Sequence, residues 1–317
     1  MTKLQIVLFR DGRPGHEKQS MGILHALRRY IALDIDEIPV EQKGILNNIF
    51  DYFKYTFHLS TPAVTKLIKP DLIIGTGSRT HIPILSCKRK FGGYAVTCMS
   101  PAAFLRSKFD LCFVPVHDRI AVKSNIMQTT GPPNIAENSN NHDECKSMIL
   151  VGGEDERSHR WDSEKLMLYI KDLLRVSTDQ EWTISSSPRT PDETDRLLCS
   201  LVRDQPAISY VPFHRTKPGW IEKQYSCNKT VWVTGDSISM VYEALTAGCR
   251  VGIIPVDWKK KDNKFLYSLN YLVENRRVFT LNQYLDGTSC HYETEPLNES
   301  DRCAKEILKR WWPENLR

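Results

Sequence analysis

A chain of 317 residues with 41% hydrophobic and 26% charged residues has ordinary globular composition, and its length suits two domains with sizeable cores. The net charge of +5 suits an anionic small molecule or a membrane surface as well as nucleic acid, so charge alone decides nothing; no nucleic-acid partner is expected. Nine singly scattered cysteines with no C-x-x-C pair argue against structural zinc and for a reducing compartment. The cysteines at 98, 112 and 199 have apolar neighbours and read as small buried hydrophobes. No stretch approaches the roughly 18 apolar residues of a membrane span, and the apolar run after Met1 is too short for a signal peptide. The expectation is a cytoplasmic protein, with peripheral membrane contact left open.

In chain order, the first strand (4–9) runs into Asp11-Gly12-Arg13-Pro14-Gly15-His16, and a helix follows with Met21, Leu24 and Leu27 on one face. Two glycines allow a tight strand-to-helix turn with amide groups free for an anion or a sugar oxygen. His16, at the mouth of that loop, is a candidate general base, with a solvated turn histidine as the alternative; Asp11 joins it in the candidate catalytic pair. Asp34-Ile35-Asp36 spells a metal-type D-x-D, but its alternating pattern reads as a strand with two outward carboxylates. Segment 43–60 is aromatic and apolar nearly all round, which suits a core helix or a surface touching a membrane or lipid-linked acceptor. A strand at 72–75 then enters a second glycine loop, Gly75-Thr76-Gly77-Ser78-Arg79-Thr80-His81, before a helix over 82–90 and strands at 94–99 and 111–114.

The Asn-rich stretch 130–143 has no period, and residues 136–146 are placed as a linker between an N-terminal domain (1–135) and a C-terminal one (147–298). Beyond it, a strand at 148–151 ends in Gly152-Gly153, with Arg157 in the acidic run that follows. Asp162 reads as the N-cap of a helix over 163–176, and strands are placed at 182–185 and 208–211. Between these strands, Thr190-Pro191-Asp192-Glu193 reads as a capping box opening a helix over 191–202, and Arg189 lies in the loop before it as a candidate phosphate clamp. The strand 231–234 ends at Gly235, followed by Asp236 and Ser237 and a helix over 239–247 stopped by Gly248; a strand at 251–254 completes the series. A phosphate suits that helix N-terminus, and Ser239 and Glu243, four apart, share a face that would place Glu243 on a ribose. The alternative is N-capping by Asp236 or Ser237, with Glu243 a surface acid. The terminal helix (299–317) ends in two tryptophans and suits either packing back on the first domain or an interfacial anchor.

Strands alternating with helices imply an α/β fold with two Rossmann-like parallel-sheet domains facing a central cleft, that is, a GT-B-like architecture. The segments DGRPGHEKQS (11–20), GTGSRTH (75–81), VGG with RWD (151–162), SSPRTP (186–191) and TGDSISMVYEAL (234–245) resemble the mitochondrial-fission ELM family of glycosyltransferase-like proteins. The loops are more distantly similar to the peptidoglycan N-acetylglucosaminyltransferase. The resemblance implies an inverting, metal-independent transferase that uses a nucleotide-sugar as donor substrate and no other cofactor, with a cell-envelope saccharide or lipid-linked acceptor. His16 would be the base or position the acceptor, Ser237 and Ser239 would contact phosphate, and Glu243 the ribose. Gly12, Gly15, Gly153, Arg157, Arg189, Gly235, Asp236 and Met240 complete the candidate ligand-binding set. Asp236 departs from the relative's small neutral groups and would repel a diphosphate unless Arg189 or Arg157 neutralises it. A scaffold recruiting a dynamin-type fission factor and a nucleotide-sugar epimerase or hydrolase are the rival readings.

Overall fold

The computed structural model describes residues 3–40, 55, 69–203, 205–288 and 296–316. The chain forms two compact units, Met1–Ile135 with Asn298–Arg317, and Ala136–Leu297. The aromatic segment 43–60 lies outside the described residues, apart from Tyr55.

The first unit runs β1 (Lys3–Arg10), α1 (Pro14–Leu27), β2 (Ala32–Pro39), β3 (Leu72–Thr76), α2 (Ser78–Phe91), β4 (Tyr94–Cys98), α3 (Ala103–Arg106), β5 (Leu111–Pro115) and β6 (Ile126–Thr129). Its strands form one parallel sheet in the order β2-β1-β3-β4-β5-β6. The inner strands β3 and β5 are buried at every position, as a sheet covered on both faces requires. Edge strand β2 alternates, with Asp34 and Asp36 exposed and Leu33 and Ile35 turned inward. Asp34 pairs with Lys3 at 3.3 Å, an ordinary surface contact.

The C-terminal helix Glu299–Trp311 belongs to this unit. Cys303, Ala304, Ile307 and Leu308 are fully buried with Ile23, Leu24 and Leu27 of α1, and Trp311 stacks on Tyr94 with ring centroids 4.1 Å apart. Its first turn is pinned where Ser300 Oγ donates to the Asn134 carbonyl at 2.6 Å and accepts from the Asn134 amide at 2.9 Å.

The second unit contains β7 (Asp143–Leu150), β8 (His159–Arg160), α4 (Ser163–Val176), β9 (Glu181–Ser185), α5 (Asp192–Val202), β10 (Ile208–Val211), α6 (Trp220–Cys227), β11 (Asn228–Thr234), α7 (Ile238–Thr246), β12 (Arg250–Ile254), β13 (Asp257–Trp258), α8 (Lys264–Glu274), β14 (Phe279–Thr280) and α9 (Leu281–Leu285). Six of its strands form a parallel sheet in the order β10-β9-β7-β11-β12-β14. β8 and β13 make a separate antiparallel pair.

Four expectations change. Strand β7 starts at Asp143, inside the expected linker, because ladder pairing uses backbone groups and tolerates the exposed Asp143, Glu144 and Cys145. The capping box at Thr190 does not form: α5 starts one residue later with Pro191 as its N-cap, and the Thr190 hydroxyl bonds instead to the Gly152 carbonyl. Cys199 is exposed, since it lies on the solvent side of α5 next to buried Leu198, whereas Cys98 and Cys112 are buried. Gly15 is a helical residue with open space around it; only Gly12, with φ +76°, makes the turn. The Asp162 cap does form, accepting from the Lys165 amide at 2.9 Å.

Gly22 and Gly15 of α1 make a matched test of packing. A Cβ on Gly22 would stand 2.4 Å from the Asn134 carbonyl oxygen and 2.7 Å from Ser300 Oγ, whereas one on Gly15 meets nothing within 4 Å. Gly22→Ala should therefore cost about 1–3 kcal/mol in denaturant unfolding. Gly15→Ala should be neutral or gain up to about 1 kcal/mol from helix propensity. Equal effects would contradict the packing of the C-terminal helix.

Candidate active site

In each sheet the strand order reverses at one place, between β1 and β3 in the first unit and between β7 and β11 in the second. Loops leaving the carboxyl ends of the two strands at a reversal diverge to opposite faces of the sheet and open a crevice, the usual ligand position in open parallel sheets. The glycine loops lie at these two points.

In the first unit Asp11, at the end of β1, has a side chain only 1% exposed. Its Oδ1 accepts from the Arg13 amide at 3.1 Å, and its Oδ2 is 2.7 Å from His16 Nδ1. A buried carboxylate in that position accepts a hydrogen bond from Nδ1–H, which fixes the tautomer with Nε2 as the basic nitrogen. The imidazole is 19% exposed, so the dyad is anchored within and reachable from solvent. Gly77, with φ +89°, packs directly against it: a Cβ there would stand 2.4 Å from His16 Nδ1. The two loops are further tied by Ser20 Oγ and Thr76 Oγ1, 2.5 Å apart. Arg10 braces the turn by pairing with Glu17 and Glu37 at 2.6 and 2.7 Å, and Glu17 also accepts from the Gly12 amide.

In the second unit Asp236 is equally enclosed, with a side chain 1% exposed. Its Oδ2 accepts from Arg189 Nη2 at 2.7 Å, Ser237 Oγ at 3.0 Å and the Gly153 amide at 3.1 Å, while Oδ1 is buried without a partner. Arg189 also donates to the Gly153 carbonyl at 3.0 Å and to Ser237 Oγ at 3.2 Å. Gly152 and Gly153 are obligatory here, since a Cβ would lie 2.1 Å from Asp236 Oδ2 or 2.0 Å from the Arg189 carbonyl. The neutralising cation is therefore Arg189; Arg157 is exposed in its loop, and among the described residues only its backbone amide is engaged, by Asp155.

Helix α7 starts at Ile238 with Ser237 at the N-cap, and no side chain caps it. The Met240 amide donates to the Ser237 carbonyl at 3.0 Å, which leaves the Ile238 and Ser239 amides at the tip without an acceptor in the helix, and the carboxylate of Asp236 is engaged by Arg189 and the Gly153 amide rather than in capping. Gly235 packs against Leu269 and Ile253. Ser239 is exposed and Met240 half-buried, whereas Glu243 is 7% exposed, so Glu243 is not a surface acid. Burial first, and then the charge of Glu243, push the Tyr225 phenol well above its usual range, which places the two side chains near each other.

Sequence reasoning missed His159, Ser187 and Thr190. His159 is buried, with Nε2 3.0 Å from the Gly153 carbonyl and Nδ1 2.8 Å from Ser158 Oγ, so it holds the glycine loop from behind. Ser187 and Thr190 hydroxyls both donate to the Gly152 carbonyl. The recurrence of small hydroxyl residues in SSPRTP was the available signal. Among the described residues no group of three or more His, Cys, Asp or Glu side chains could hold a metal ion, and no helix is long and apolar enough to cross a membrane.

Burial pushes His81, in the first turn of α2, down to about 4, with the charge of His16 adding to the effect. A folded-state value below the unfolded one means the unfolded chain binds the proton first, so stability is retained above pH 6.5 and lost as pH falls towards 4. The loss attributable to this side chain is about 3 kcal/mol, at roughly 1.4 kcal/mol per pH unit. His81→Phe should flatten the slope of unfolding free energy over that range; an unchanged slope would refute the buried neutral state.

None of the curated proteins matches this sequence. A Listeria monocytogenes protein described as a UDP-N-acetylglucosamine 2-epimerase superposes with a TM-score of 0.60 at 9% identity, covering 97% of this chain and 95% of that one. MurG of Acinetobacter baumannii gives 0.53 at 14% identity over 96% and 95%. UGT2 of Phytolacca americana gives 0.54 at 7% identity over 98% and 91%. These likenesses show the fold, which is of the GT-B type. The sequence itself matches the family described as Mitochondrial fission ELM1 over residues 14–311, and the chain belongs to that family.

Proposed function

We propose that this chain is an inverting glycosyltransferase that moves a sugar from a nucleotide-sugar donor to a glycan or glycolipid acceptor. The Asp11–His16 contact carries the reading, because a buried carboxylate on Nδ1 prepares Nε2 to take a proton. In the proposed step His16 Nε2 takes the proton of an acceptor hydroxyl, and its oxygen forms a bond to the anomeric carbon from the face opposite the leaving group. The bond from that carbon to the donor phosphate breaks, and the nucleoside diphosphate departs with the electron pair.

The second unit supplies the donor side in this scheme. The open first turn of α7 offers amides and a positive dipole end to the departing phosphate, with Ser237 and Ser239 beside it. Arg189 and Asp236 together are neutral, so the amides bear most of the developing charge. Glu243, one turn on, would accept from the ribose hydroxyls. The plant relative of the same fold is complexed with UDP-2-fluoroglucose. A donor held in this way needs no divalent ion. Cytoplasmic placement, with the acceptor reached at the membrane surface, completes the proposal.

A melting-temperature screen against UDP-, GDP- and CMP-sugars should give a rise with one nucleotide class, since a ligand of the native state adds RT ln(1 + [L]/Kd). No response to any class would sink the transferase reading in favour of a scaffold. With a donor and acceptor in hand, His16→Ala should abolish transfer while donor affinity stays unchanged, and Asp11→Asn should lower kcat by about 10²–10⁴. Wild-type turnover in His16→Ala would remove the base assignment. Glu243→Gln should raise the nucleotide Kd about tenfold, and an equal Kd would remove Glu243 from the ribose site.

A further inference from the structure

The second sheet carries a cavity at the end away from its glycine loops. Trp182 of β9, Ser147 of β7, Thr230 of β11 and Arg250 of β12 pair laterally in one row across four strands. Side chains in such a row share a face of the sheet. On that face Trp232 leans over β12, since a Cβ on Gly252 would stand 2.5 Å from its ring, and it meets Phe279 and Tyr284 edge-on with ring centroids 5.0 and 5.2 Å away. Helix α4 stops at Val176, and residues 176–180 before β9 form the other side. The space between is about 440 Å³, lined among others by Ser147, Gln180, Thr230, Trp232, Arg250 and Tyr284, all within the second unit. Small-molecule sites span roughly 300–1,000 Å³.

The lining selects against both anions and hydrocarbons. Arg250 already donates to Glu144 at 2.8 Å, Lys229 pairs with the same carboxylate at 3.4 Å, and Asp179 adds an exposed carboxylate at the rim. An anion would therefore meet a neutralised guanidinium and a second negative charge. A hydrocarbon would strip water from the Thr230 hydroxyl and Gln180 Nε2, which have no hydrogen-bond partner among the described residues. Ser147 Oγ donates to Gln180 Oε1 at 2.8 Å, so its oxygen keeps its lone pairs while the Gln180 amide keeps both N–H groups. Neutral donors and acceptors thus alternate around an aromatic wall, which matches ring hydroxyls that donate and accept at once. We propose that this cavity binds a pyranose ring of a saccharide, with Thr230, Gln180 and Ser147 as its polar contacts. The site is distinct from the glycine loops and does not depend on the transferase reading.

The test is an NMR titration of the full-length, isotope-labelled protein with N-acetylglucosamine and, separately, with chitotriose, up to about 50 mM, enough to saturate a millimolar Kd. The Ser147 and Thr230 amides, the Gln180 side-chain amide and the Trp182 indole should shift and saturate. Thr230→Val keeps the shape of the side chain and should raise the Kd about fivefold, the worth of one net hydrogen bond, while Thr230→Ser should hold the wild-type value. Gln180→Met, in the loop before β9, should weaken binding similarly without touching the strands. Tighter binding of chitotriose assigns a glycan chain as the ligand, and equal binding a single ring. Absence of saturable shifts at these groups, unchanged Kd values in both Thr230→Val and Gln180→Met, or tighter binding of inorganic phosphate than of either sugar overturns the site. A parallel titration with UDP, read at the Ser237–Ser239 amides, reports the donor side separately; sugar shifts confined to those amides would overturn the cavity site and leave the transferase reading standing.

Discussion

Each parallel sheet ends at its point of reversal in an aspartate with almost no solvent exposure, Asp11 in one unit and Asp236 in the other. A buried carboxylate is costly unless nearby donors satisfy it, and that requirement organises both loops. Around Asp11 the Arg13 amide and His16 supply the donors; around Asp236 it is Arg189, Ser237 and the Gly153 amide. The glycines follow from the same constraint. Gly77, Gly152 and Gly153 each stand where a methyl group would strike a member of one of these networks.

The two networks leave different chemistry at the surface. Asp11 engages one nitrogen of His16 while the ring stays 19% exposed, so the imidazole is anchored on one side and reachable by solvent on the other. Asp236 instead spends a guanidinium: Arg189 reaches a carboxylate, a hydroxyl and a carbonyl at once and locks the loops after β7, β9 and β11 together. With Asp236 held by Arg189 and the Gly153 amide, no side chain caps the N-terminus of α7. Neutralisation also removes the repulsion that a lone Asp236 would exert on an anionic ligand.

The C-terminal helix closes a face of the first sheet that α1 alone does not fill. Cys303, Ala304, Ile307 and Leu308 supply the missing apolar surface, and the Ser300–Asn134 exchange sets the helix in register against Gly22. Helix α1 also carries His16 in its first turn, so this packing supports the helix on which the dyad is built.

Much of this was legible in the sequence because its signals are local. Buried strands read as apolar runs, the Asp162 cap and the Gly248 stop are set within a few residues, and the alternation of strand and helix forces a parallel sheet. The glycine loops were visible as candidate sites for the same reason. What tertiary structure alone decided is pairing over distance. Arg189 and Asp236 are 47 residues apart, and choosing Arg189 over Arg157 depends on which loops the strand order makes neighbours. Likewise Thr190 reads locally as a cap but finds the Gly152 carbonyl, 38 residues away, and the alternative of Glu243 as a surface acid falls only once its face is seen packed. Composition and periodicity specify which backbone forms where; only the folded sheet determines which side chains share a buried space, because burial makes each unpaired polar group seek the nearest partner in three dimensions.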